Sequence, residues 1–356
     1  MSSLRLITPT DWRFCVAPMM QYTDRHFRML ARKLSRHARL YTEMVVASAI
    51  VRGDPARFLA HDPAAHPVAL QLGGSDPGEL AIAARRGEEA GFVEINLNVG
   101  CPSSRVQAGR FGACLIAEPG LVAECVSAMR AAVSVPVTVK TRLGVDALDS
   151  QEHLEKLVSA VVSAGCDVLI LHARKALLNF STRANREIPP LQYARVHALK
   201  RRFPALPVIL NGGLDSLEAC VPHLDTLDGV MLGRAAYGDL ALLAQVDGTL
   251  FDAPSTIPSR GDVLRALEPY VLARCAEGTA LRHLSRHWLG LHQGRAGARA
   301  WRKLIGLHST SAAPHPARAV AEAADFLDAL GASSSALDSQ GLRNRKVMRS
   351  DSPMAV

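Results

Sequence analysis

Eight short apolar runs, each followed by a turn and a helix-like stretch, recur through the first two-thirds of the chain. This alternation constrains the fold more than any other feature of the sequence. The runs are Phe14–Pro18, Leu40–Met44, Pro67–Leu72, Phe92–Leu97, Pro136–Thr141, Asp167–His172, Leu206–Asn211 and Gly229–Gly233. Segments such as Pro77–Ala90 and Gly120–Ala132 carry a helical pattern between them. Strand and helix in alternation imply a parallel sheet with crossover helices. Eight such units in about 235 residues match the size of a closed (β/α)8 barrel, an α/β TIM barrel. The main alternative, a doubly wound sheet, usually carries Gly-x-Gly-x-x-Gly after its first strand, and that motif is absent here.

The pattern changes near residue 254. Ala253–Arg260 holds two prolines and two serines and reads as a linker. Helical segments follow near 262–277, 279–292, 295–307 and 316–330, so a small all-helical domain is expected. In the second segment Leu281, Leu284, Trp288 and Leu291 form an apolar stripe, with Arg282, His283, Arg286 and His287 off it. From Ser333 the chain is rich in serine with scattered basic residues, the composition of a disordered tail. The expected division is therefore a barrel over 1–254, a helical domain over 255–332 and a tail over 333–356.

Charge separates the parts. The formal net charge is +8, and residues 255–303 hold nine Lys/Arg against three Asp/Glu, whereas residues 1–254 hold 27 against 25. A concentrated basic stretch is the footprint of a polyanionic partner, and a solvated helix face accounts for it equally well. The seven cysteines, at 15, 101, 114, 125, 166, 220 and 275, are odd in number and form no Cys-x-x-Cys pair. That argues against a disulfide framework and against a metal site, and suits a reducing cytoplasm. Met1–Asp11 has no apolar run of signal-peptide length, and no stretch is long and apolar enough to suggest a membrane span.

A barrel places its site at the C-terminal mouth of the strands. Side chains alternate along a strand, so Gln71 shares a face with Ala69, Lys140 with Thr138 and His172 with Ile170, while Asn96 and Asn98 close the fourth strand. One polar strand end is ordinarily a cap, and a lone lysine there can snorkel to solvent. Four strands ending in Gln, Asn, Lys and His together suit a bound heteroaromatic group. An ammonium such as Lys140 would stabilise the negative charge of a reduced flavin, and amides and imidazole would bond its edge. Asn211-Gly212-Gly213 follows the seventh strand and Gly233-Arg234 the eighth, where barrels commonly hold phosphate.

Cys101 stands just past the fourth strand in Asn96-Leu97-Asn98-Val99-Gly100-Cys101-Pro102-Ser103. A free thiol is mostly protonated at neutral pH and can donate a proton. A Cys–His pair with His172 is also open. Cys15, Cys125, Cys166, Cys220 and Cys275 are expected as small buried hydrophobes, and Cys114 is open to either role.

These residues carry a family resemblance. Val16-Ala17-Pro18-Met19, Leu40-Tyr41-Thr42-Glu43-Met44, Pro67 through Gly74 and Glu94 through Pro102 resemble the tRNA-dihydrouridine synthases. His172-Ala173-Arg174-Lys175-Ala176 and Asn185 through Leu191 are similar to the A-type bacterial branch, which modifies positions 20 and 20a of the tRNA D-loop. The resemblance covers residues 14–308. It implies an FMN-bearing barrel, a helical tRNA-binding domain and NADPH as reductant. Matched position by position, it implies that Pro18, Met19 and Met20 line the flavin, and that Gln71, Lys140 and His172 bond the ring and ribityl chain. Asn211, Gly212, Gly213, Gly233 and Arg234 would hold the phosphate, and Asn98 would face the uracil. Arg183, Asn185, Arg186 and Arg302 would contact tRNA. At Asn179-Phe180-Ser181-Thr182 the chain departs from the branch and is one residue shorter.

The expected reaction is reduction of uridine to dihydrouridine in tRNA, with a hydride delivered to C6 and a proton from Cys101 to C5. The target base must first be unstacked and turned outward. Trp288 and Trp301 are candidates for stacking on bases, with core packing favoured for Trp288. The expected partner is tRNA and the expected state a monomer, with no membrane and no metal. Two other functions fit parts of the chain. An FMN reductase of a free pyrimidine or other small molecule would have no use for the basic helices. A non-catalytic tRNA-binding protein or RNA chaperone would have no use for Cys101, Lys140 and His172.

Overall fold

The computed structural model describes residues 9–253, 257–310 and 313–347. They form two compact units, Met1–Ser255 and Thr256–Val356.

The first unit is a closed parallel barrel. Its strands are β1 (Phe14–Val16), β2 (Arg39–Tyr41), β3 (Val68–Gly73), β4 (Glu94–Val99), β5 (Val137–Arg142), β6 (Val168–His172), β7 (Val208–Asn211) and β8 (Gly229–Leu232). Each pairs with the next, β2 with β3 through Leu40↔Val68, and β8 closes on β1 through Cys15↔Met231. A further two-residue strand, Val45–Val46, lies along the end of β3. All eight expected strands are present. Three begin one residue past a proline that the apolar pattern had included. Pro67, Pro136 and Pro207 have no N–H to give a ladder, yet their carbonyls accept from Leu40, Ile95 and Leu169 of the neighbouring strands.

The crossover helices carry explicit start signals. In Pro77–Glu89 the Asp76 carboxylate caps the Glu79 amide and proline occupies the first turn. Inside the barrel Trp12, Cys15, Tyr41, Ala69, Ile170, Ile209 and Met231 fill one buried cluster. Such a filled interior leaves the C-terminal mouth as the place for chemistry.

The second unit is helical. Arg260–Ala276 packs along Pro316–Val347, burying Val263, Leu264, Leu267 and Val271 on one side and Val320, Ala323, Ala324 and Leu327 on the other. Ser259, inside the expected linker, caps this first helix by accepting from Asp262. Leu281–Ser285 runs into a 3-10 turn, Arg286–Leu291, and Ala298–Leu307 follows. The expected stripe of Leu281, Leu284, Trp288 and Leu291 is buried. His287, expected off the stripe, is buried too: the change to three residues per turn after Ser285 rotates it inward. Trp301 is 0% exposed and its indole N–H meets the Trp288 carbonyl at 3.3 Å. Both tryptophans therefore belong to the core and neither offers a stacking face to a base.

The last helix continues through 333–347, in the stretch expected to be disordered, and the rest of that tail, 348–356, lies outside the described residues. Residues 254–256 of the expected linker also lie outside them. Among the described residues no helix is long and apolar enough to cross a membrane, and no cluster of three or more metal-ligating side chains is present.

Candidate active site

The strand ends bring the expected mouth residues together by register. Gln71 lies beside Asn96, Asn98 beside Lys140, Arg142 beside His172 and His172 beside Asn211. The expected face alternation holds, with Thr138 below Lys140 bonded to Asn96 inside the barrel. Strand β4 extends two residues further than its apolar pattern, because Asn98 and Val99 pair with Lys140 and Thr141.

Cys101 is held from several sides. Asn98 Oδ1 accepts from the amides of Gly100 at 3.1 Å and Cys101 at 2.9 Å. The Cys101 carbonyl accepts from the Ala113 amide at 3.0 Å. Arg142 Nε donates to the Gly100 carbonyl at 3.0 Å, and Gln107 Nε2 to the Pro102 carbonyl at 2.8 Å. The partly exposed thiol has Ser103 Oγ 3.5 Å away. Among the described residues no hydrogen bond joins it to His172, so the Cys–His pair does not form. Cys15, Cys125, Cys166 and Cys220 are buried as expected. Cys275 is not: it is partly exposed near the end of its helix, and Cys114 is partly exposed as well.

The mouth is strongly cationic. Recession into the barrel and the neighbouring Arg142 push the Lys140 ammonium down to about 7. Burial and the charges of Arg142, Lys140, Arg174 and Arg186 hold the His172 imidazole well below its ordinary range, so it is neutral. Burial likewise lowers Arg142 to about 10. No carboxylate pairs with Lys140, His172 or Arg234 among the described residues. Such crowding of like charge has one ready remedy, an anionic ligand.

The phosphate loops suit that ligand. Gly212 has φ +106°, and a Cβ there would lie 2.5 Å from His172 Cδ2, so only glycine permits this approach of the loop to the imidazole. Tyr193 Oη braces the turn by donating to the Gly212 carbonyl at 2.8 Å. Asn211 also has a use inside the barrel: its Nδ2 donates to the Met231 carbonyl at 2.7 Å, tying the ends of β7 and β8 together. A Cβ at Gly233 would meet Met19 Sδ of the first loop at 3.4 Å, and on that loop Met20 is exposed and Pro18 partly exposed. Burial, and then the charge of Arg234, lower the Arg186 guanidinium from its ordinary range, and its Nε is buried with no hydrogen-bond partner among the described residues. An unsatisfied guanidinium nitrogen, an unpaired ammonium and positive-φ glycines fit a phosphate-bearing, negatively charged cofactor such as FMN.

The expected tRNA contacts divide. Arg302 is exposed, and Arg183 is exposed but paired with Glu187 at 3.2 Å. Asn185 is not a surface contact. Its side chain is 0% exposed, accepting from the Leu177 amide and donating to the carbonyls of Leu177, Phe180 and Ser181. It organises the 177–181 loop, and that internal use explains an asparagine there without any ligand.

Comparison with known proteins agrees with this geometry. The dihydrouridine synthase (Dus) family model matches residues 15–328. The chain belongs to the dihydrouridine synthase family. Three relatives bear the name tRNA-dihydrouridine(20/20a) synthase. That of Pseudomonas putida is 54% identical over 82% of this chain and 88% of its own. Those of Shewanella oneidensis and Pseudomonas aeruginosa are 53% and 51% identical, over 83% and 88% of this chain and 88% and 95% of theirs.

Several working residues of this family member escaped sequence reasoning. Arg142, 5% exposed, bonds the carbonyls of Gly100, Lys175 and Asn185 and so ties the Cys101 loop to the loop after β6. Its only sequence signal is a charge one turn of the alternation above Lys140. Gln107 also donates to the Leu178 carbonyl at 2.7 Å. Glu94 lies inside the barrel, where a charged residue at a strand start reads as solvent-facing.

Proposed function

We propose that this chain reduces uridine to 5,6-dihydrouridine in the D-loop of tRNA, at positions 20 and 20a, as an FMN enzyme of the cytoplasm that uses NADPH and acts as a monomer. The observation that carries the proposal is the placement of a partly exposed thiol, fixed through its own backbone, on the rim of a cationic mouth where no carboxylate pairs with Lys140, His172 or Arg234 among the described residues.

FMN bound there supplies the hydride for C6 of the uracil, replenished from NADPH. Gly212, Gly213, Gly233, Arg234 and Arg186 would hold its phosphate, and Lys140, Gln71 and His172 its ring edge and ribityl chain. Burial and Arg142 lower Lys140 to about 7, and beside a bound flavin its ammonium would hold its charge against the ring edge. Neutral His172 acts as a hydrogen-bonding group without adding repulsion. Cys101 delivers its thiol proton to C5. The loop around it, fastened at Gly100, Cys101 and Pro102, keeps that proton in place while an everted base enters.

The helical unit would hold the RNA. On Ala298–Leu307, Arg299, Arg302, Lys303 and Gly306 lie at helical spacing on the exposed face, opposite buried Trp301 and Ile305. An unneutralised stripe of this kind suits a phosphate backbone and favours tRNA over a free pyrimidine.

The test is mass-spectrometric mapping of nucleosides in tRNA from cells with and without the gene, with purified wild-type and Cys101→Ala protein added back. Loss of dihydrouridine from the 20/20a region alone, restored by wild type and not by Cys101→Ala, is the expected result. Dihydrouridine unchanged in the deletion, together with turnover of free uridine by the pure protein, would replace tRNA with a small molecule as substrate.

A further inference from the structure

The barrel interior holds a buried carboxylate that no step above uses. Glu94, 0% exposed, has its four acceptor positions filled: Tyr41 Oη at 2.7 Å and Thr138 Oγ1 at 2.6 Å on Oε1, Trp12 Nε1 at 2.8 Å and Arg39 at 2.9 Å on Oε2. Arginine and the indole are donors only. The tyrosine and threonine hydroxyls must donate as well, because a carboxylate only accepts.

That requirement runs upward. With its proton committed to Glu94, Thr138 accepts from Asn96 Nδ2 at 2.7 Å. Asn96 Oδ1 is then turned to Gln71 Nε2 at 2.8 Å, and Gln71 Oε1 to Asn98 Nδ2 at 2.9 Å. Asn98 Oδ1 is left for the Gly100 and Cys101 amides. The upper end imposes the same direction independently, since backbone amides can only donate. A single polarity therefore runs from the carboxylate to the proton donor's own N–H.

We infer that Glu94, acting through Thr138 and Asn96, is a positioning group for the reaction: it sets the orientation of the Gln71 and Asn98 amides and thereby the seat of Cys101. Asn98 Oδ1 is filled by the Gly100 and Cys101 amides and Gln71 Oε1 keeps one acceptor position, while each side chain retains an N–H that the relay does not use. The relay thus presents donors to the mouth, the complement of carbonyl oxygens on a pyrimidine or a flavin edge. Reversal of any one amide would set two donors or two acceptors against each other in a buried setting, which is costly.

This inference rests on the proposed reaction for its kinetic arm, and a second arm needs no substrate. The obvious variant, Glu94→Gln, leaves Arg39 buried without its counter-charge and risks the fold. Thr138→Val cuts the relay without touching the ion pair, and Thr138→Ser retains the hydroxyl. For Thr138→Val, the loss of one buried hydrogen bond predicts uridine reduction in tRNA about tenfold slower at saturation, with KM for tRNA unchanged. Alkylation of Cys101 by iodoacetamide, followed against pH in the full chain, should change several-fold in the same variant. Thr138→Ser should restore both. If Thr138→Val does not fold, Asn96→Ala severs the relay one link nearer the mouth and is read in the same way. Wild-type turnover and wild-type alkylation in the severed variant would overturn the relay. If the wild-type protein makes no dihydrouridine while alkylation still responds to Thr138→Val and recovers in Thr138→Ser, the assigned reaction fails and the relay stands.

Discussion

Gly112 stands where a side chain would strike the seat of Cys101: a Cβ there would lie 2.6 Å from the Cys101 carbonyl oxygen. Its φ of +69° is also one that other residues adopt at a cost. The neighbouring Ala113 amide bonds that same carbonyl, so glycine lets the 3-10 turn Gly112–Ala117 lie directly on the loop that carries Cys101. Gly112→Ala should cost roughly 1–3 kcal/mol of stability through strain and displaced backbone. Because the displaced group is Cys101, kcat should fall more than tenfold, the scale expected when a reacting group is misplaced by a fraction of an ångström. Thermal denaturation and single-turnover dihydrouridine formation check the two halves separately.

Gln107 clamps the Pro102 carbonyl to the Leu178 carbonyl through one amide nitrogen. Gln107→Leu keeps the bulk and removes both bonds. Flavin content should be unchanged, since no phosphate or ring contact is assigned to it, while kcat with tRNA falls about five- to thirtyfold for the loss of one or two part-buried hydrogen bonds. A matched loss of bound flavin would mean that the clamp serves the barrel mouth as a whole.

The lowered Lys140 makes a signed pH prediction. Its value falls from 10.5 to about 7 on folding. Between those limits the unfolded chain binds more protons, so the lysine's penalty is full below about pH 7, shrinks as pH rises and is gone above 10.5. Lys140→Met should therefore raise the melting temperature of flavin-free protein near pH 7, with the gain vanishing as pH approaches 10.5. An anion in the mouth reverses the shift, so flavin binding above pH 7 should take up a proton, measurable by calorimetry in buffers of different ionisation enthalpy. A pH-independent gain in Lys140→Met would assign the effect to packing.

The fold was legible because a buried parallel strand between two helices has a strong apolar signature, and the mouth because Gln71, Lys140 and His172 interrupt that signature at the strand ends. The relay below it was not. Glu94 looks like any charged residue at a strand start. Its partners Trp12, Arg39 and Tyr41 lie on other parts of the ring and approach it only when the barrel closes through Leu40↔Val68. Asn185 shows a second limit: a matched motif position suggested a ligand contact, and the sequence did not show that the side chain is buried and bonded to its own loop. Local chemistry is written in order along the chain; contacts across a closed barrel are not.

Asn185 and Arg186 are adjacent and should behave oppositely. Asn185→Ala removes four hydrogen bonds from the 177–181 loop and should lower stability by roughly 1–3 kcal/mol. Arg186→Ala removes a repelled, half-buried cation and should leave stability equal or higher while weakening the binding of anionic ligand at the mouth. Denaturant titration paired with flavin affinity distinguishes them; equal destabilisation would assign Arg186 a structural role instead.

Not every basic residue of the helical unit is available to RNA. Arg265 is paired with Asp262 at 3.2 Å, Asp325 at 2.9 Å and Asp328 at 2.7 Å, and these carboxylates hold it above its ordinary range. Arg274 pairs with Glu277 at 2.6 Å. Arg299, Arg302 and Lys303 have no such partners among the described residues. Neutralising a phosphate releases a counterion, so Arg302→Ala should lower tRNA affinity and reduce the slope of log K against log salt by about one. Arg265→Ala exposes three carboxylates and should weaken tRNA binding only through added negative charge, without removing a phosphate contact. Filter binding across a salt series decides between them. If Arg265→Ala flattens the salt slope and Arg302→Ala does not, the RNA lies against the other face of this unit, and the charge excess of residues 255–303 has been assigned to the wrong helix.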